Sequence, residues 1–278
     1  MWFFETLYPD LKIGVKGDII HEEKTPFQDM KIYHTSRYGK VLTLDGVIQT
    51  TQKDEFIYHE MLTHPLLLSH PKPQNVLIIG AGDGGILREV LKHKVKKVTL
   101  VEIDQAVIEV SKKHLATINK GSFNDKRAKI VVGDGAKFVK NTKEKFDVIV
   151  VDSTDPIGPA KVLFSENFYL DIYRILTKNG LMIRQTGSAT LQLTTLKNST
   201  KTLKKVFPIV RTQIIAVPTY IGGFFSLTIG SKTIDTAKVT QKAINQRYAK
   251  LKLKTKYYNP DIHFACTKLP NYIGEELR

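Results

Sequence analysis

Between Leu11 and Thr51 the apolar residues come in short runs, Ile19–Ile20, Met30–Tyr33 and Val41–Leu44. They are separated by Gly17–Asp18, Gly39 and Asp45–Gly46. Runs of this length between turn residues predict an antiparallel β-meander. Asp45–Gly46, where both residues accept a positive φ, predicts a hairpin turn within it. At Asp54 the period changes. Ile57, Met61, Leu62 and Leu66 recur at helical spacing, which predicts a helix of about sixteen residues followed by a linker at Pro71 and Pro73. The chain is therefore divided into a β-strand domain over 1–53, a connecting helix and linker over 54–75, and a larger domain over 76–278.

Beyond the linker, continuous apolar strands alternate with helical stretches. Val76–Ile79 leads into a glycine-rich turn and a helix through Lys92. Val98–Val101 leads into a helix over Gln105–His114. Ile130–Val132 and Phe146–Val151 follow, with further strands at Leu181–Arg184, Ile209–Val217 and Phe224–Ile229. Strands without polar alternation are buried on both faces, so this grammar predicts an α/β domain with a mostly parallel, Rossmann-like sheet covered by helices.

Composition changes this picture little. At 278 residues and 42% hydrophobic content the chain can bury a full core. Its apolar runs fall well short of the ~20 residues of a spanning helix. Met1–Asp10 carries Glu5 and Asp10 with no basic stretch ahead of them, which does not predict a signal peptide. One cysteine, Cys266, excludes an internal disulfide framework and suits a reducing cytoplasm. The net charge of +15 raises nucleic acid as a partner. The lysines are scattered over helix faces and loops without interleaved aromatics, so they are read as a solvated surface.

The chemistry gathers at the carboxyl ends of the strands, where ligands of such sheets collect. The first strand runs into Gly80-Ala81-Gly82-Asp83-Gly84-Gly85, which permits a tight turn and close backbone approach to a ligand. Gly80, Gly82 and Gly85 also match the dinucleotide fingerprint. Glu102 ends the second strand, where an acid accepts both ribose hydroxyls. Asp134-Gly135 ends the third, where an acid suits the adenine amine and glycine lets the base lie against the backbone. Together these favour an adenosylmethionine-type nucleoside, since nothing further along reads as a nicotinamide subsite. Asp83 would repel a methionine carboxylate but could pair with the ammonium of a decarboxylated donor. It could equally cap a helix. The fourth strand delivers Asp152-Ser153-Thr154-Asp155-Pro156-Ile157-Gly158-Pro159, two acids three residues apart that suit a polycation. A carboxylate there can hold an ammonium and take its proton. His59, Glu60 and His64 suggest a zinc helix only briefly, because its two histidines need a spacing of four and these are five apart.

These runs resemble the spermidine synthase family, the polyamine aminopropyltransferases. Leu44–Gln49, Asp54–Met61, Pro218-Thr219-Tyr220 and Tyr257–Pro260 extend the resemblance over essentially the whole chain. It implies transfer of the aminopropyl group of decarboxylated S-adenosylmethionine to putrescine, by a homodimer or homotetramer that needs no metal or redox cofactor. It further implies that Gln28, Gln49, Gly80, Asp83, Glu102, Asp134, Gly135 and Pro159 bind the donor. Tyr58, His59, Asp83, Asp152, Ser153, Thr154, Asp155, Gln185 and Tyr220 would line the polyamine channel, with Asp152 as proton acceptor. Ala81 stands where the family usually has glycine. The alternative is an adenosylmethionine-dependent methyltransferase acting on nucleic acid or a small amine. It shares the fold, but the Asn/Asp-Pro-Pro-aromatic run usual after the fourth strand in the nucleic-acid enzymes does not occur here.

Overall fold

The computed structural model describes residues 1–155 and 158–278, the side chains of 158 and 159 excepted. It opens with a small hairpin, β1 (Trp2–Phe4) against β2 (Gly14–Lys16). An antiparallel meander follows, made of β3 (Asp18–Lys24), β4 (Asp29–Thr35), β5 (Gly39–Leu44) and β6 (Val47–Thr51), paired in chain order. Asp45 and Gly46 both have positive φ, 50° and 78°, as the β5–β6 turn requires. The opening hairpin was not legible in the sequence. It is held onto the meander by Phe3 stacked on Tyr33, with ring centroids 3.9 Å apart.

Helix α1 (Glu55–Ser69) joins the two parts. It is buried on every side from Ile57 to Ser69, because it lies between one face of the large sheet and two neighbouring helices. The larger domain alternates β7 (Asn75–Gly80), α2 (Gly85–Leu91), β8 (Lys97–Glu102), α3 (Gln105–His114), α4 (Ala116–Asn119), β9 (Ala128–Val132), α5 (Gly135–Asn141) and β10 (Phe146–Asp152). Then come α6 (Glu166–Ile175), β11 (Leu176–Ser188), α7 (Leu193–Val206), β12 (Ile209–Ala216), β13 (Phe224–Ser231), α8 (Gln241–Leu251), α9 (Pro260–Ala265) and α10 (Asn271–Glu276).

The seven strands lie in the order β12-β13-β11-β10-β7-β8-β9. From β11 to β9 every pairing is parallel, while β13 is antiparallel to both its neighbours. Alternate residues of one strand face opposite layers. Val76 and Ile78 meet Met61, Leu66 and Ile86, whereas Leu77 and Ile79 meet Val139, Phe168 and Ile172. That division explains why the strands read as unbroken apolar runs. β11 is thirteen residues long, well beyond the Leu181–Arg184 core read from sequence, because β13 pairs with it as far as Ser188. The chain reverses its strand order between β7 and β10, and the carboxyl ends of these two strands floor a cavity.

Candidate active site

The cavity measures about 440 Å³. Gln28, Gln49, Gly80, Asp83, Glu102, Asp134 and Gly135 line it, as do Tyr58, His59, Asp152, Ser153, Thr154, Asp155, Gln185 and Tyr220. Pro159, expected against the far face of a base, lies outside the described residues with its side chain, as do Pro156 and Ile157 altogether.

Two glycines of the turn after β7 are explained by protein packing as much as by a ligand. At Gly80, with φ of 81°, a Cβ would stand 1.8 Å from the Asp152 carbonyl oxygen, so glycine lets β7 and β10 close together. At Gly85 a Cβ would meet the His59 ring at 2.2 Å, so the helix start is cut away to seat that ring. Between them, Asp83 does not cap the helix, whose N-cap is Gly84, but bonds within the turn and faces a histidine. Its Oδ1 accepts the Gly85 N–H at 2.8 Å, and its Oδ2 faces His59 Nε2 at 3.1 Å.

The nucleoside-side residues are individually anchored. Glu102 Oε1 accepts the Asp104 N–H at 3.0 Å, and Gln28 Nε2 donates to Asp104 Oδ2 at 2.9 Å. Burial, then the neighbouring charges of Asp104 and Asp152, push the Glu102 carboxyl up to about 7 against the lowering effect of its backbone hydrogen bonds. Asp134 caps α5 by accepting the Lys137 N–H at 3.0 Å. Gln49 Nε2 donates to the Val47 carbonyl at 3.1 Å.

At the floor, Tyr58 donates its hydroxyl to Asp152 Oδ1 at 2.6 Å, across ninety-four residues of chain. Burial raises the Asp152 carboxyl most, and Asp83 adds to this. The Tyr58 hydrogen bond and His59 oppose it, and the balance is about 6. A carboxylate poised there is mostly ionised at neutral pH yet accepts a proton readily. Tyr58, Tyr220 and Phe225 form an aromatic wall beside it, with Tyr58 and Tyr220 edge-on at 5.3 Å. The Tyr220 hydroxyl is not free. It donates to the Gln49 carbonyl at 2.7 Å and ties this wall to the amino-terminal domain. Gln185 is likewise engaged, its amide oxygen accepting Gly187 N–H at 2.8 Å and its nitrogen donating to the Ser153 carbonyl at 2.9 Å.

Two polar lining residues, Glu5 and Gln192, escaped the sequence. Glu5, buried at 2% exposure, follows the edge of the opening hairpin. Its Oε2 has no hydrogen-bond partner among the described residues, and burial and then Asp155 raise its carboxyl to about 7. The signal was an acid closing the apolar run Trp2-Phe3-Phe4. Gln192 donates to Asp155 Oδ2 at 3.0 Å and accepts the Ser188 N–H at 2.8 Å. Nothing in the sequence singled it out. His59, expected in the amine channel, does border the cavity, but Glu55 and Asp83 occupy both its ring nitrogens. Among the described residues no cluster of His, Cys, Asp and Glu is disposed to hold a metal ion, and His64 is instead bonded to His93 and Glu89.

Both parts of the chain have counterparts in known proteins. Residues 55–242 match the model of the spermine/spermidine synthase domain, and residues 1–52 that of the spermidine synthase tetramerisation domain. A polyamine aminopropyltransferase of Thermoanaerobacter sp. is 44% identical over 277 residues, covering 99% of this chain and 98% of its own. One from Pseudomonas syringae pv. tomato is 44% identical over 271 residues, 97% of this chain and 95% of its own. A spermidine synthase in complex with the transition-state analogue AdoDATO superposes with a TM-score of 0.95 at 40% identity, covering 100% of this chain and 94% of that one. The spermidine synthase of Thermotoga maritima gives 0.93 at 40% identity with the same coverage. With both of its parts matched, and relatives this similar along its full length, the chain belongs to the spermine/spermidine synthase family.

Proposed function

We propose that this enzyme transfers the aminopropyl group of decarboxylated S-adenosylmethionine to putrescine, giving spermidine and 5′-methylthioadenosine. The observation that carries the reading is the ionisable pair at the floor, Asp152 with the Tyr58 hydroxyl at 2.6 Å, set between a nucleoside-shaped edge and a second set of acids. Glu102 takes the ribose hydroxyls, Asp134 and Gly135 the adenine, and Gln28 and Gln49 contact the donor. Asp83 meets the aminopropyl ammonium. Asp155, aimed by Gln192, and Glu5 hold the distal ammonium of the diamine.

The chemistry is a displacement. The amine nitrogen forms a bond to the methylene carbon as that carbon's bond to sulfur breaks, and the sulfonium leaves as a neutral thioether. The attacking nitrogen loses one proton, which Asp152 accepts. A diamine amine resembles lysine, with a pKa of ~10, so a positioned acceptor is needed to expose its lone pair. Holding nitrogen and carbon in line supplies much of the rate. The leaving sulfur is activated by its own positive charge, so the reading needs neither a metal nor a redox cofactor.

Trp2, Phe4, Ile19 and Ile20 lie exposed on the part that matches the tetramerisation domain. They support assembly through residues 1–52 into a homodimer or homotetramer. No described helix is long and apolar enough to cross a membrane. The single buried cysteine fits the cytoplasm, and the scattered lysines serve solubility rather than nucleic acid. Incubation with the decarboxylated donor and a panel of amines, with products identified by mass, tests the reading. Stoichiometric methylthioadenosine and spermidine are expected. Methyl transfer from intact S-adenosylmethionine without an aminopropyl product would overturn it.

A further inference from the structure

His59 sits on α1 with an acid at each end of its ring. Nδ1 lies 2.6 Å from Glu55 Oε2, and Nε2 lies 3.1 Å from Asp83 Oδ2. Glu55 is not in a position to carry a proton. It is gripped by the Arg88 fork, Nη1 to Oε1 at 3.0 Å and Nη2 to Oε2 at 2.8 Å. Asp83 already accepts a backbone N–H. The ionised Glu55 takes the Nδ1 proton, and a second proton on Nε2, 3.1 Å from Asp83, makes the ring a cation that pairs with both carboxylates. The ring is 2% exposed, and a buried cation persists only when it is paired. The second charge layer continues behind it, Arg88 Nε donating to Glu89 Oε1 at 2.7 Å and Nη1 to the Ile118 carbonyl at 2.5 Å. The ring fills the space that a Cβ at Gly85 would need.

We propose that His59 is a positioning residue, a permanent imidazolium that Glu55 and Arg88 hold in place so that it fixes Asp83 against the donor's amino group. It does not itself accept a hydrogen bond from the substrate amines. The assignment of the donor's amino end to Asp83 rests on the function proposed above. The charge of His59 rests on the ring's burial between two carboxylates, one of them fixed by Arg88, and not on that function. The groups facing the ring are Glu55 and Tyr58 on its own helix, Asp83 on the β7–α2 loop, Arg88 behind Glu55 on α2, and Asp152 at the end of β10. Burial disfavours the charge, but Asp83 and Glu55 outweigh it and raise the imidazole to about 10. Burial also works against Glu55, yet the hydrogen bonds and charges of His59 and Arg88 hold it at about 2.

The test is ring-nitrogen NMR of the unliganded wild-type protein, followed by kinetics of Glu55→Gln. In the wild type both His59 nitrogens should remain protonated from about pH 6 to 9. A neutral-ring signature, or a titration near pH 6.5, would overturn the proposal and needs no variant that must fold. In Glu55→Gln the titration should move into that window. KM for the decarboxylated donor should then be roughly tenfold higher at pH 8.5 than at pH 6.5, with kcat nearly level, since each unit above a pKa removes tenfold of the charged form. A KM in that variant that does not depend on pH would also overturn it. A protein without aminopropyl transfer would sink the functional reading and still leave the wild-type titration to decide the charge of His59.

Discussion

The two walls of the cavity handle charge in opposite ways. On the helical side the carboxylates around His59 and Arg88 have cations: Asp83 has His59, Glu55 has His59 and Arg88, and Glu89 has Arg88 and Lys92. On the strand and hairpin wall Asp152 is answered by a tyrosine hydroxyl, Asp155 by the Gln192 amide, and Glu5 Oε2 by no described group. The consequence shows in their protonation. Glu55 is held at about 2, while Asp152 and Glu5 are raised to about 6 and 7. Burial opposes ionisation on both walls, and only the helical one compensates for it within the chain. Paired charges make a rigid template. Unmatched acids make a site whose missing cations arrive with the substrate.

The largest effect should come from the unmatched wall. Asp152→Asn keeps the shape but removes both the charge and the proton acceptor, so kcat should fall roughly 10²–10⁴-fold, the usual range for loss of a general base. In the wild type kcat should decline as pH is lowered through about 6, where Asp152 takes up its proton. Tyr58→Phe removes a hydrogen bond that favours the carboxylate and should shift that acid limb to higher pH. Steady-state kinetics across pH with saturating donor decide this. Near-normal kcat in Asp152→Asn with only KM for putrescine raised would make Asp152 an anchor and leave the proton to another group.

Next in size is Glu5. A charged hydrogen bond is worth about 1.5–3 kcal/mol, so Glu5→Gln should raise KM for putrescine about 10–100-fold with little change in kcat. Because Glu5 is protonated below about 7, wild-type KM for putrescine should climb as pH falls through that value, and Glu5→Gln should lose that dependence. An unchanged pH dependence in the variant would place the distal ammonium elsewhere.

Asp83 sharpens the contrast, because its charge is already offset by His59. Asp83→Asn should therefore cost less than either change above, about tenfold in KM for the decarboxylated donor. It should also reduce discrimination against the carboxylated one. Competitive inhibition by the two donors measures the ratio. If it does not move, Asp83 serves only its backbone bond to Gly85.

Much of this arrangement was legible because the candidate site lies at strand ends. Glu102 and Asp152 each close a run of buried apolar residues, and Asp134 follows the apolar but half-exposed edge strand β9, so periodicity places all three on one edge. The Asp45–Gly46 turn was legible for a local reason as well. What periodicity cannot supply is who faces whom. The Tyr58–Asp152 bond, the Gln192–Asp155 bond and the Arg88 fork on Glu55 all join residues at least thirty-three positions apart. Glu5 depends on a three-residue hairpin, Trp2–Phe4 with Gly14–Lys16, too short to leave a pattern. The glycine turn was read toward a ligand, while at Gly80 and Gly85 the space is filled by Asp152 and His59.

The smallest effect concerns Ala81, between the two walls. It has φ of 59°, in the left-handed region, where an L-residue with a Cβ is disfavoured by roughly 1–2 kcal/mol. Glycine removes that strain but gives the unfolded chain more freedom, which takes back about 0.4–1 kcal/mol. Ala81→Gly should thus stabilise the fold by about 0.5 kcal/mol, read as a small rise in the denaturant midpoint with the slope unchanged. Its effect on kcat separates two accounts of the loop. If the turn is held from the helical wall, by Asp83 on Gly85 and His59, relaxing Ala81 leaves Asp83 where it was and activity stays within about twofold. If the strain itself aims Asp83, KM for the donor should rise even as the fold becomes more stable. The second result would mean that the paired wall is not the rigid template its hydrogen bonds make it.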